Sequence, residues 1–360
     1  MPLTPNSAAP NSVAPNPVKI EIENLSKVFG TKPAQHVSAI EAGISKADLL
    51  EKHGHVLGLD RVSLNIEAQS LQVVMGLSGS GKSTLIRHIN RLIEPTSGAL
   101  RIDGTDVLAM GPKALRDLRR NKISMVFQKF ALLPGRTVFR NIAYGLELRG
   151  FERESIAKTV TEWIERVGLS GFEDRLPAEL SGGMQQRVGL ARALAMNADI
   201  LLMDEAFSAL DPLIRTEMQD VLLDLQSELN KTIVFITHDL DEALRIGDRI
   251  AILRDGALVQ QDTPSGILLN PKDDYIRAFT RDINRGHALT VGDVLHMAAA
   301  DQHAMPNIAP DLSMASNTKL ETALHTLIRS NQKGATVTRD GAPIGVITDI
   351  TISKAMRPLQ

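Results

Sequence analysis

The chain has 360 residues, 43% of them hydrophobic and 23% charged, with 40 Lys+Arg against 42 Asp+Glu for a net charge of -2. This balance excludes a strongly basic nucleic-acid binder and a highly charged disordered chain. With no cysteine there are no disulfides, Cys-type zinc sites or thiol nucleophiles, and no run of about 18 apolar residues reads as a membrane span.

Residues 1–18 hold five of the 17 prolines, with Pro-Asn recurring three times. That composition predicts a flexible tail, and with neither Lys nor Arg nor an apolar stretch it is not a secretory signal. Order begins with an alternating strand over residues 18–23. Residues 34–53 read as helical, with Ser45 and Asp48 spaced as a capping box and Gly54 as the stop. A strand over residues 71–75 runs into a glycine-rich turn. Residues 124–128, 200–204, 232–237 and 249–253 read as short buried strands with helices between them. This alternation predicts an α/β domain with a largely parallel sheet. Residues 110–180 look mostly helical. The pattern changes near residues 281–290. Beyond it come a helix (319–330), a strand (335–338), a turn at Asp340-Gly341, a strand (344–348) and a final helix, which together predict a small α+β domain over residues 287–360.

Gly76-Leu-Ser-Gly-Ser-Gly-Lys82-Ser83 follows a strand and opens a helix, matching G-x-x-x-x-G-K-[ST]. The glycines let the backbone curl around phosphate oxygens, and N–H groups of residues 79–84 point at the anion at a helix N-terminus. Gly76, Ser78, Gly79, Ser80, Gly81, Lys82, Ser83 and Thr84 are therefore expected to hold a nucleotide. Lys82 neutralises its terminal phosphates and Ser83 ligates Mg²⁺. The apolar run of residues 200–203 ends in Asp204-Glu205. Asp204 is expected to hold Mg²⁺ and Glu205 to polarise an attacking water.

Between these lies Leu180-Ser-Gly-Gly-Met-Gln-Gln-Arg187. At this point residues 19–282 resemble the ATP-binding cassette (ABC) ATPases: a P-loop NTPase with a RecA-like core and a helical subdomain at about residues 110–180. The other landmarks follow in order: Phe29 at the adenine-stacking position, Gln128 in the Q-loop, Ser208-Ala-Leu-Asp211 as the D-loop and His238 as the switch histidine. The resemblance implies two copies facing head to tail, each ATP lying between one copy's phosphate loop and the other's Ser181, Gly182 and Gly183. Glu205, His238 and Lys82 would be catalytic. Gln128 would join Ser83 and Asp204 at Mg²⁺ and link the site to a membrane partner. Met184 stands where the family usually has Gln or Glu, just beyond the residues that meet phosphate.

The chain lacks the membrane helices of exporters, the second cassette of translation factors and the cysteines of repair members. The 99 positions from Lys82 to Ser181 leave no room for a coiled-coil arm. What remains is the separate ATPase subunit of an importer, working with permease subunits and a solute-binding protein at the cytoplasmic face of the inner membrane, with no nucleic acid. Residues 203–220, the phosphate loop followed by Ile89-Asn-Arg-Leu-Ile-Glu-Pro-Thr96, and the insertion at residues 34–58 resemble the quaternary-amine importer ATPases. These take glycine betaine, proline betaine, choline or related solutes. Other solute importers, such as those for polar amino acids, share the nucleotide motifs and remain an alternative, with a soluble non-transport ABC ATPase behind them.

Residues 287–360 resemble a single CBS domain: Val291-Gly-Asp-Val-Leu295 matches its lead-in and Gly345-Val-Ile-Thr348 its second strand. Relatives commonly carry two such repeats. The ribose-binding Asp expected three residues after the Thr is Thr351 here, and the acid is Asp349. The scattered His287, His296, His303 and His325 read as solvated surface.

Overall fold

The computed structural model describes residues 16–128, 130–297 and 312–357. Most of the proline-rich tail (residues 1–15) and His303 lie outside the described residues.

Two sheets form the body. An antiparallel sheet contains β1 (Val18–Phe29), β2 (Val56–Glu67), β4 (Ser97–Ile102) and β5 (Thr105–Asp106) in the order β2-β1-β4-β5. A six-stranded sheet has the order β10-β9-β3-β8-β7-β6, using β3 (Leu71–Met75), β6 (Ile123–Val126), β7 (Ile200–Asp204), β8 (Thr232–Thr237), β9 (Arg249–Arg254) and β10 (Ala257–Asp262). All its pairings are parallel except the edge hairpin β9–β10. The strands read from sequence are present. The antiparallel sheet and β10 were not anticipated, because their strands carry charged residues and turns at irregular spacing.

The helices are α1 (Val37–Glu41), α2 (Lys46–His53), α3 (Lys82–Ile89), α4 (Pro112–Asn121), α5 (Val138–Arg149), α6 (Arg153–Arg166), α7 (Gly182–Ala195), α8 (Pro212–Leu229) and α9 (Leu240–Ile246). Strand pleat sorts the core into two layers. Val74, Leu202, Val234, Ile236 and Leu253 face α3 and the antiparallel sheet. Val73, Met75, Leu201, Met203, Ile233 and Phe235 face α8, α9 and part of α7. Burying each such side chain contributes about 1.5–3 kcal/mol. A separate cluster joins α5, α6 and α7 through Ile142, Val160, Trp163, Ile164 and Val188. The helical unit is thus centred on residues 138–195, shifted along the chain from the expected 110–180, because α4 and β6 pack on the main sheet.

After residue 282 the chain forms strands β11 (Ser313–Ala315), β12 (Gly334–Arg339) and β13 (Ala342–Thr348), with helices Leu320–Arg329 and Asp349–Met356. Asp340 and Gly341 both have positive φ (51° and 79°), the two-residue hairpin turn their sequence predicts. This unit is not detached: its core takes in Leu268 of the cassette, and the buried Arg285 donates to the Leu268 carbonyl at 2.9 Å. His287 pairs with Glu321, while His296 and His325 are exposed. Among the described residues, no helix is long and apolar enough to cross a membrane.

Candidate nucleotide site

The glycine-rich turn leaves the central strand β3 at its C-terminal end, where β7 and β8 also end, the place where open parallel sheets bind ligands. A Cβ on Gly76 would strike the Leu253 carbonyl, and one on Gly81 would lie 2.6 Å from the Gly58 carbonyl, with both residues at positive φ. Only glycine fits either position. The turn borders a cleft of about 320 Å³ lined by Ser78, Gly79, Gly81, Lys82, Ser83, Thr84, Gln128, Glu205 and, from the other side, Phe29 and Lys46. Ser80 lies beneath, nearly buried, its hydroxyl without a protein partner.

The charged groups form one network. Lys82 Nζ donates to the Gly76 and Leu77 carbonyls at 2.7 and 3.1 Å. Burial pulls its ammonium below the usual lysine range, while the carboxylates of Glu205 and Asp204 oppose the shift. Ser83 Oγ donates to Asp204 Oδ1 at 2.8 Å, and Arg87 reaches Asp204 Oδ2 at 3.3 Å. Asp204 is fully buried, so these donors offset much of the cost of its charge. Gln128 Nε2 donates to Glu205 Oε2 at 2.7 Å, and His238 Nδ1 lies 3.6 Å from Glu205 Oε1. Glu205 has φ 50°, a left-handed backbone costing of order 1–3 kcal/mol outside glycine. Bonds from Glu205 N to the Ile236 carbonyl (3.1 Å) and from Ser208 Oγ to the Glu205 carbonyl (3.0 Å) hold it there.

Phe29 ends β1, 40% exposed, with Lys27 Nζ 5.3 Å from its ring centroid. Ser181 caps α7 by accepting from Met184 N at 3.3 Å, and Asp211 caps α8 by accepting from Ile214 N at 3.1 Å. Ser181, Gly182 and Gly183 do not line this chain's own cleft. Gly183 instead lies beside Leu210 of the D-loop.

Sequence reasoning missed three side chains. Arg87 could have been found, since it lies one helical turn after Ser83 on the same face. Arg215 reaches Asp239 Oδ2 and the Leu210 carbonyl, both at 3.4 Å, tying the D-loop to the residue after His238. Lys46 gave no sequence signal, because its place depends on how the insertion folds back.

This is the architecture of an ATP-binding cassette. Residues 59–208 match the ABC transporter family. Over 277 residues the chain is 53% identical to the glycine betaine/carnitine transport ATP-binding protein GbuA of Listeria monocytogenes, covering 77% of this chain and 70% of that protein. It is 43% identical over 328 residues to the trimethylamine N-oxide transport ATP-binding protein TmoW of Pelagibacter ubique, covering 91% and 94%. The ATP-binding cassette MJ0796, solved as a dimer bound to ADP and Pi, aligns with TM-score 0.60 and 32% identity over 68% of this chain and 98% of that one. The chain belongs to the ATP-binding subunits of ABC transporters.

Proposed function

We propose that this chain hydrolyses ATP to power import of glycine betaine, proline betaine, choline or a related methylated ammonium solute through a separate permease. The observation that carries this reading is 53% identity to GbuA extending far outside the nucleotide motifs, on a chain whose Lys82 and Glu205 line one cleft with Asp204 bonded to Ser83 and His238 beside Glu205. The near full-length likeness to TmoW favours a second solute, trimethylamine N-oxide, which shares the trimethylated nitrogen.

In this reading Lys82 and the backbone N–H groups of residues 79–84 hold the phosphates, and Phe29 covers the adenine. The buried Asp204, Ser83 and Gln128 suit a hard cation. They would hold Mg²⁺, which neutralises charge on the phosphate oxygens. Glu205 accepts a proton from the attacking water, and its bonds to Gln128 and to its own backbone neighbours aim the carboxylate. His238 donates to the γ-phosphate. Ser181, Gly182 and Gly183 complete the site of a second copy. The assembly sits on the cytoplasmic face of the inner membrane, bound to permease subunits and served by a solute-binding protein. Residues 287–360 form a CBS-like unit, in which the Thr351 side chain is occupied structurally: its hydroxyl lies 3.0 Å from that of Thr348.

The test is uptake of radiolabelled glycine betaine, choline and trimethylamine N-oxide in cells lacking the chain, complemented with wild type or Glu205→Gln. Uptake of a methylated amine restored only by wild type is expected. Restoration by Glu205→Gln would overturn the hydrolytic role, and unchanged uptake of all three would overturn the solute class.

A further inference from the structure

The insertion between β1 and β2 folds back onto the cassette. Ile40 and Leu49 of its helices pack on Val28 and Leu57, all fully buried. Ser45 Oγ accepts from Asp48 N at 3.0 Å and donates to Asp48 Oδ2 at 2.6 Å, and Lys52 pairs with the same carboxylate at 2.8 Å. These contacts fix the first turn of α2. They set Lys46, its first residue, at the rim of the cleft beside Phe29 and the phosphate loop.

Lys46 Nζ donates to the Gly79 carbonyl at 3.1 Å. Among the described residues no ion pair engages it. An ammonium has three N–H donors, so two remain for groups in the cleft. The Gly79 carbonyl takes one of these donors but leaves the positive charge without a counter-ion. A half-exposed cation lining the same cleft as Lys82, over a loop shaped for phosphate, gains most from an anion in that cleft.

We propose that Lys46 is a second cationic contact to the phosphate chain of the bound nucleotide, supplied by the insertion rather than by the cassette core. The inference rests on the nucleotide reading of the cleft. The ammonium shifts from the Gly79 carbonyl to phosphate oxygens, strengthening binding of nucleotides that carry a phosphate chain over those that lack one.

The experiment is calorimetric titration of the full chain with ATP, ADP and adenosine, at low and high salt, for wild type, Lys46→Ala, Lys46→Gln, Lys46→Arg and Lys82→Ala. Lys46→Ala and Lys46→Gln should each weaken ATP and ADP about fivefold, as for a solvent-accessible ion pair. The loss should shrink at high salt, Lys46→Arg should restore affinity, and any adenosine affinity should not change. Equal ATP affinity in wild type and both neutral variants overturns the proposal. So does a loss that is independent of salt and not restored by arginine, which marks a merely structural lysine. Failure of wild type to bind ATP, or indifference to Lys82→Ala, instead overturns the nucleotide reading itself.

Discussion

At the C-terminal edge of the six-stranded sheet, Ser83, Arg87, Gln128, Asp204, Glu205 and His238 come together from four segments of the chain. Among the described residues of the C-terminal unit, the buried polar side chains are Arg285, Thr348 and Thr351. The two threonines lie in a single turn and bond to each other at 3.0 Å. The core there is otherwise Val291, Leu320, Leu327, Val337, Ile347 and Ile352. The first region gathers opposed charges around the fully buried Asp204, whose charge would be costly alone, while Arg87 and His238 stay open to solvent. The second buries one charge, Arg285, which reaches across to the Leu268 carbonyl of the cassette and leaves its Nε without a partner, while its two threonines are satisfied within one turn. A region that concentrates charge across distant segments is arranged for chemistry, and one that buries apolar faces is arranged for packing.

The sharpest way to break this comparison is at Glu205. Replacing it with Gln keeps shape and the bond to Gln128 but removes the proton acceptor. Phosphate release should fall ~10²–10⁴-fold, the usual worth of general-base catalysis, while ATP titration gives near wild-type affinity. Fast phosphate release by the variant would place the base elsewhere.

The converse change lies in the packing region. Leu327 is fully buried in the C-terminal core. Leu327→Ala should destabilise that unit by about 2–5 kcal/mol, read as earlier proteolysis or faster hydrogen exchange of residues 313–356. ATP affinity should hold. If affinity falls in step, the contacts of Arg285 and Leu268 transmit the loss, and the two regions act as one.

The same contrast explains what the sequence revealed. The buried strands at residues 71–75, 200–204 and 232–237 were legible because short, almost wholly apolar runs read as strands buried on both faces. Lys82, Asp204 and Glu205 were legible because phosphate chemistry ties residue types to strand ends. The antiparallel sheet was not: β2 carries Asp60 and Arg61 mid-strand, with Arg61 at positive φ and its N–H held by Ser26 Oγ at 3.0 Å. Its order depends on partners distant in sequence. Lys46 was invisible for a related reason, since the packing of Ile40 and Leu49 decides where it points. Arg215 likewise acts across the gap between two loops that local pattern cannot join.

The smallest expected effect concerns the insertion's three histidines. The ring of His55 lies 4.3 Å from that of His36, and the ring of His53 lies 4.9 Å from that of His36. His55 directs Nε2 at the Thr31 carbonyl (2.7 Å) and Nδ1 at the His53 carbonyl (2.5 Å). A neutral imidazole can donate to only one of them, whereas the imidazolium donates to both. The Thr31 carbonyl first, then that of His53, hold its pKa above the ordinary 6.5, with burial opposing. His36 is driven below 6.5, by burial first and then by the charge of His55 and His53. A raised folded pKa means that the His55 contribution is complete below 6.5 and is lost as pH rises through the folded value. His36 contributes the opposite way, above 6.5, and loses its share as pH falls through its lowered value. The loop Phe29–Thr31, against which His55 packs at Gly30, should therefore be best held just under pH 6.5, where His55 is charged and His36 still neutral. Hydrogen exchange at residues 29–31 and 53–56, corrected for its intrinsic pH dependence, should show protection declining above that range, and His55→Gln should flatten the decline. Protection unchanged across the range in wild type would show that the two carbonyls are held by the fold without the proton.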